Sequence, residues 1–167
     1  RKDLFKGLAV ELLEHDWIEH PVLHFDLSGA KYSAGSDAFG EQGNRQLALY
    51  ESKYSIEPKG KLLSTRLADL IVGAVKKTGQ KAVILIDEYD APLLDLMGKD
   101  DLFQKTRDMM RDFYSPIKQN DGLLKFVFLT GITKFRQLSI FSEFNNLKHL
   151  SMDSRYDAIC GISKDEM

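Results

Sequence analysis

Five apolar residues in a row, Ala82-Val83-Ile84-Leu85-Ile86, run straight into two acids, Asp87 and Glu88. A strand with one wet face alternates apolar and polar residues, because successive side chains point to opposite sides. This run does not alternate. It predicts a strand covered on both faces, as in a parallel sheet.

The surroundings of the run agree. Upstream, Leu63, Leu67, Leu70, Ile71, Ala74 and Val75 recur at helical spacing, with Ser64 near the start and Lys76-Lys77 then Gly79 at the end. Downstream, Leu102, Phe103, Thr106, Met109, Met110, Phe113, Tyr114 and Ile117 form one helical stripe that stops before the turn Asn120-Asp121-Gly122. Phe126-Val127-Phe128-Leu129 reads as a second buried strand, closing on Thr130-Gly131. Earlier, the run from Pro21 to Ser28 reads as a strand, the Gly- and Ser-rich stretch from Gly29 to Gly43 as a loop, and Asn44 to Tyr54 as a helix broken by Glu57-Pro58-Lys59-Gly60. A short amphipathic stretch, Leu4 to Leu13, leads into Trp17, and a weaker strand is expected from Lys148 to Met152. Alternation of strands and helices gives an α/β fold, a three-layer α-β-α arrangement around a parallel sheet.

Length and charge narrow the function. The 167 residues make one domain, 1–167, with 43% hydrophobic and 29% charged residues. A net charge of −2 gives no general pull toward nucleic acid. No apolar run approaches the roughly 20 residues that cross a bilayer. Arg1-Lys2-Asp3-Leu4-Phe5 has no secretory apolar core, and the single Cys160 excludes an internal disulfide, so a cytoplasmic protein is expected. Ser163 with Glu166 makes a capping box for a helix that has no body, so both ends are expected to be truncations.

In parallel α/β sheets chemistry gathers beyond the carboxyl ends of the strands. That singles out Asp26, Asp87-Glu88 and Thr130. A buried strand delivers Asp87 to a fixed place, where a carboxylate can hold Mg²⁺ through its water shell, and Glu88 can polarise an attacking water. Such a strand end is the Walker B element of ATPases. A solvated loop or a helix cap explains the same acids, and both readings stay open on pattern alone. Thr130 ends a neighbouring strand, where a hydroxyl can sense a γ-phosphate. Asp26 reads more simply as a loop residue.

Four segments carry a resemblance: His20 to Gly29, Val83 to Pro92, Phe126 to Phe135 and Ser139 to Leu147. In order and spacing the chain resembles the bacterial AAA-ATPase-like family, whose members often carry a C-terminal restriction-endonuclease-like nuclease domain. The resemblance implies a P-loop NTPase domain of the additional-strand type, with ATP and Mg²⁺ as cofactors. It implies Asp87 as the Walker B metal ligand, Glu88 as the catalytic base and Thr130 as the sensor. By their position just after the sensor strand, Lys134 and Arg136 can reach a phosphate or a neighbouring subunit's nucleotide, and a solvated loop explains them equally well. Homo-oligomers, and nucleic acid contacted through a fused nuclease domain, are the partners the resemblance suggests; a membrane is not. Asp90 and Asn145-Asn146 fall on motif positions, with loop fixing as their simplest role.

One departure matters. No Gly-x-x-x-x-Gly-Lys-Ser/Thr occurs, and the nearest candidate, Glu57-Pro58-Lys59-Gly60-Lys61, lacks both the first glycine and the hydroxyl. The domain is therefore expected to be incomplete at its N-terminus, with the phosphate-loop strand absent, the sheet edge beside the sensor strand unpaired, nucleotide binding weak or lost, and aggregation favoured. A degenerate, non-catalytic scaffold is one alternative. A metal-dependent nuclease using Asp26, Asp87 and Glu88 is another, although Tyr89 and Asp90 stand where a nuclease strand adds its lysine. His20 and His24 are four apart on a strand, too distant to share an ion.

Overall fold

The structure, a computed structural model, describes residues 2–35, 37–132, 147–151 and 153–156. The apolar run forms β2 (Ala82–Asp87), the middle strand of a three-stranded parallel sheet with order β1-β2-β3. β1 (Val22–Asp26) lies on one side, with Leu23 opposite Ile84, Phe25 opposite Ile86 and Asp26 opposite Asp87. β3 (Leu124–Leu129) lies on the other, with Ile86 opposite Leu129. Parallel neighbours need long crossovers. Helices α2 (Ala38–Tyr54) and α3 (Leu63–Thr78) make the first; α4 (Ala91–Asp95) and α5 (Asp100–Gln119) make the second.

Helices α2, α3 and α5 touch one another and share one face of the sheet. Leu23, Phe25, Ile84 and Ile86 point into that layer and are buried. The ring of Phe113 on α5 is the hub. It meets Phe25 at 5.5 Å and Phe39 at 5.9 Å, both edge to face, the geometry in which ring quadrupoles attract. On the opposite face the cover is thinner among the described residues. Val22 is 38% exposed and Phe126 53%, with Val83 and Leu85 half-buried between them. The expectation of two-sided cover thus holds fully for one face. β1 alternates buried and exposed along its length, as a strand with one wet face does.

Several local readings need correction. α2 begins at Ala38 rather than Asn44, so the glycine-rich stretch is only partly loop. Gly43 lies inside the helix, and a Cβ there would sit 2.8 Å from Leu63 Cδ1 of α3. It is a packing glycine, not a turn glycine. Arg66 of α3 ties the same two helices together, with Nε and Nη2 donating to the two carboxylate oxygens of Glu51 at 2.7 and 2.6 Å. α3 ends as read, with Gly79 left-handed at φ 69°. The amphipathic N-terminal stretch is not one helix: a 3₁₀ turn (Lys2–Phe5) and α1 (Ala9–Leu13) are separated by Gly7 at φ 82°. Lys148 to Met152 is no strand where it is described. Residues 147–150 are irregular, Ser151 lies in a turn, and no strand pairs with them; Met152 lies outside the described residues, as do Cys160, Ser163 and Glu166.

The two edges of the sheet differ. The outer edge of β1 is satisfied by three α2 side chains spaced four apart, hence on one helix face. The Tyr50 hydroxyl accepts from His24 N and donates to His24 O, each at 2.8 Å. Gln46 accepts from Asp26 N at 3.1 Å and donates to Asp26 O at 2.7 Å, and Gln42 donates to the same carbonyl at 2.8 Å. At β3, Thr130 N bonds Ile86 O. Phe126 and Phe128, in phase with Thr130, therefore also turn their backbone groups toward β2, while Lys125, Val127 and Leu129 turn theirs outward. No strand pairs with that edge among the described residues. A groove of about 230 Å³ runs along it, lined by Ile117, Leu124, Val127 and Leu147 among others.

Truncating Phe113 removes the hub of the core without adding a polar group. Phe113→Ala is expected to lower unfolding free energy by about 3–5 kcal/mol in urea titration. An unchanged denaturant slope would show that the native and unfolded states are otherwise the same.

Candidate functional site

Two neighbouring strands end side by side, and their last residues are joined. Asp87, the final residue of β2, is exposed at the strand's carboxyl end. Thr130 follows β3, and its hydroxyl donates to Asp87 Oδ1. The same hydroxyl oxygen accepts the Glu88 N–H at 3.4 Å. Backbone bonds hold Thr130 from both sides, with Thr130 N donating to Ile86 O and Tyr89 N donating to Thr130 O, each at 2.9 Å. Thr130 is thereby fixed in position, and a single hydroxyl bridges the carboxylate of one acid and the backbone of the next.

Glu88 has φ 54°. A left-handed conformation in a residue other than glycine costs roughly 1–2 kcal/mol, because Cβ approaches the carbonyl oxygen. Residues held this way cluster at functional sites. Here the bonds from Thr130 flank the strained residue on both sides. Behind it, Tyr89 and Asp90 are buried, and α4 starts at once. Pro92 sits in the first turn of α4, where its missing N–H leaves no gap.

Asp26 lies next to Asp87 in register. It is a strand-end residue, not the loop residue of the sequence reading. Its carboxylate Oδ1 accepts from Ser28 N at 2.8 Å and from Ser28 Oγ at 2.7 Å. These bonds favour the charged form and hold its pKa below the usual value of 3.8. The carboxylate therefore fastens the turn after β1.

The structure brings together Asp87, Glu88 and Thr130 and places Asp26 beside them. Lys134, Arg136, Asn145 and Asn146 lie outside the described residues. His20 stands before β1 with its ring against Lys81 O at 2.8 Å, and His24 is exposed on the strand. Among the described residues no group of three His, Cys, Asp or Glu side chains is arranged to hold a metal ion. The oxygen donors at the mouth suit a hard cation that keeps most of its water and takes few protein carboxylates, as Mg²⁺ does. They do not form a closed protein cage. Asp90 fixes a loop as expected, its Oδ2 accepting the backbone N–H of Ile132 at 3.0 Å, while sequence reasoning did not reach Gly131, where a Cβ would lie 2.6 Å from Asp90 Oδ1. Gln42, Gln46 and Tyr50 were missed too, although their four-residue spacing was visible.

Residues 1–141 match the family described as "Predicted AAA-ATPase". The chain belongs to the AAA-ATPase-like family. It is similar to a protein of Azotobacter chroococcum mcd 1, an uncharacterized protein in the vnfD 5′ region, with 35% identity over 165 residues. That match takes in 98% of this chain and 32% of the relative, so the chain spans about a third of that relative's length. No solved structure matches the chain. The family match takes in β1, β2, β3 and the whole mouth formed by Asp26, Asp87, Glu88 and Thr130.

The depressed pKa of Asp26 carries a sign that can be checked. Its stabilising contribution is present above the ordinary carboxylate value of 3.8 and is lost as pH falls through the lower native value. Ser28→Ala is expected to raise the Asp26 titration midpoint toward 3.8 in carboxyl NMR. The variant should be less stable than the parent at neutral pH, and the gap should close as the medium is acidified through that window.

Proposed function

We propose that the intact protein is a Mg²⁺-dependent ATPase of the P-loop type, and that these residues supply its Walker B and sensor strands. The observation that carries the reading is the bond from Thr130 to Asp87, made at the carboxyl ends of adjacent parallel strands. Ligands of open α/β sheets bind beyond the carboxyl ends of the strands, the side on which both residues lie. Bound Mg²⁺–ATP would supply the phosphoanhydride and neutralise the charge that develops on the phosphates.

The chain's own residues then have separable roles. Asp87 would hold the ion, through its water shell, at the end of β2. Glu88 takes the proton of the attacking water or holds that water in line. Thr130, whose one hydroxyl proton goes to Asp87, would keep that carboxylate aligned, and its hydroxyl would have to turn from Asp87 to meet a phosphate. Lys134 is proposed to meet a phosphate. The phosphate loop is proposed to come from chain outside these 167 residues, since none is present here. The outward backbone of Lys125, Val127 and Leu129 is where a strand carrying that loop would pair. These residues alone are proposed to bind nucleotide weakly or not at all.

A cytoplasmic protein, homo-oligomers, and nucleic acid contacted through a fused nuclease domain belong to the same proposal. No helix among the described residues is long and apolar enough to cross a membrane. The missing phosphate loop favours a second reading, a degenerate scaffold that uses the same fold for protein contacts.

In the full-length protein, Glu88→Gln is expected to cut ATP turnover by about 10²–10⁴-fold, the usual worth of a positioned base. Nucleotide affinity should change little. Asp87→Asn should weaken the dependence of turnover on Mg²⁺. Wild-type turnover in Glu88→Gln, measured by phosphate release, would remove Glu88 from the chemistry, whereas no phosphate release from the full-length wild-type protein would leave the scaffold as the better account.

A further inference from the structure

Asp90 lies three residues past Asp87 and is fully buried. Its Oδ2 accepts the backbone N–H of Ile132 at 3.0 Å. Between the two passes Gly131, so close that a Cβ there would lie 2.6 Å from Asp90 Oδ1 and 2.6 and 2.7 Å from two ring carbons of Tyr89. Tyr89 in turn donates its N–H to Thr130 O at 2.9 Å. The loop after β2 thus grips the turn after β3 at two points, one on each side of Gly131. An acid is costly to bury unless it is well bonded, so a buried carboxyl directed at this turn points to a positional role.

We propose that Asp90 and Gly131 form a latch between the two strand ends, which makes Asp90 a positioning residue for hydrolysis and not a group that touches nucleotide. The latch works through geometry. Asp90 holds Ile132, and Tyr89 N–H holds the Thr130 carbonyl, so the peptide between them cannot rotate. Thr130 then stays where its hydroxyl meets both Asp87 and Glu88 N. Without that tie Glu88 would relax from its left-handed backbone toward ordinary negative φ, carrying its carboxylate away. Gly131 is required because any side chain would wedge the two loops apart. The functional half of this inference rests on the ATPase reading above; the latch itself does not.

The test uses the full-length protein and four variants: Asp90→Asn, Asp90→Ala, Gly131→Ala and Glu88→Gln. Amide hydrogen exchange over 130–132 reads the latch, and kcat against nucleotide Kd reads its consequence. Asp90→Asn keeps an acceptor oxygen in place and should stay near wild type in both. Asp90→Ala should exchange its Ile132 amide about tenfold faster or more, since a lost bond lowers the local opening free energy. Its kcat should fall by at least about tenfold while Kd barely moves, the mark of a misplaced reacting group. Gly131→Ala leaves the carboxyl intact and should behave alike, which keeps the idea testable if Asp90→Ala fails to fold. Wild-type exchange in a folded Asp90→Ala or Gly131→Ala, or faster exchange with unchanged kcat, would overturn the proposal. An Asp90→Asn variant as impaired as Asp90→Ala would also overturn it, since charge and not the bond would then matter. Wild-type protein without turnover would instead sink the ATPase reading and the functional half with it, and the exchange data would still decide the latch.

Discussion

Everything at the mouth depends on the register between β2 and β3. Parallel pairing sets Ile86 opposite Leu129, so Asp87 and Thr130 emerge side by side. A slip of one residue would send every side chain of β3 to the other face. Thr130 would then face away from Asp87, and Phe126 and Phe128 would exchange places with Val127 and Leu129. The register is held by burial on the helix side, where Ile84 and Ile86 are sealed from water, and by an irregularity between Ala82 and Val83 that absorbs the offset at the start of the pairing. The position of the acid is in this sense a product of the core.

The same logic explains the layout of α5. Its apolar stripe brings Met110, Phe113, Tyr114 and Ile117 under the sheet, and Phe113 links β1 to α2 through ring contacts with Phe25 and Phe39. A helix that locks β1 also locks the place of Asp26, and with it the turn held by Ser28. Core and mouth are thus one mechanical unit, joined through strands only five or six residues long.

What was legible beforehand follows from how local each cause is. The strand at 82–87, the helix from Leu63 and the stripe of α5 could be read because an uninterrupted apolar run and a helical period are properties of neighbouring residues. Asp87, Glu88 and Thr130 could be read because strand ends are where such sheets present chemistry. The early start of α2 could not, since Gly43 looks like a loop residue until Leu63 of another helix is known to press on it. Lys148 to Met152 looked like a strand on composition, but a strand exists only with a neighbour to pair. The grip of Asp90 on Ile132 links residues 42 apart in the chain, and nothing in the spacing announces it.

The stopper made by Gln42, Gln46 and Tyr50 gives the sheet a polarity that its strands lack. A fourth strand finds no vacant donors or acceptors along His24 and Asp26, so the ribbon can lengthen only past β3. Two copies that met strand to strand would therefore join their β3 edges and present sealed margins to solvent. Among the described residues, strand-to-strand stacking by this route ends at a pair, because the capped β1 edge offers a next copy no free backbone group at His24 or Asp26.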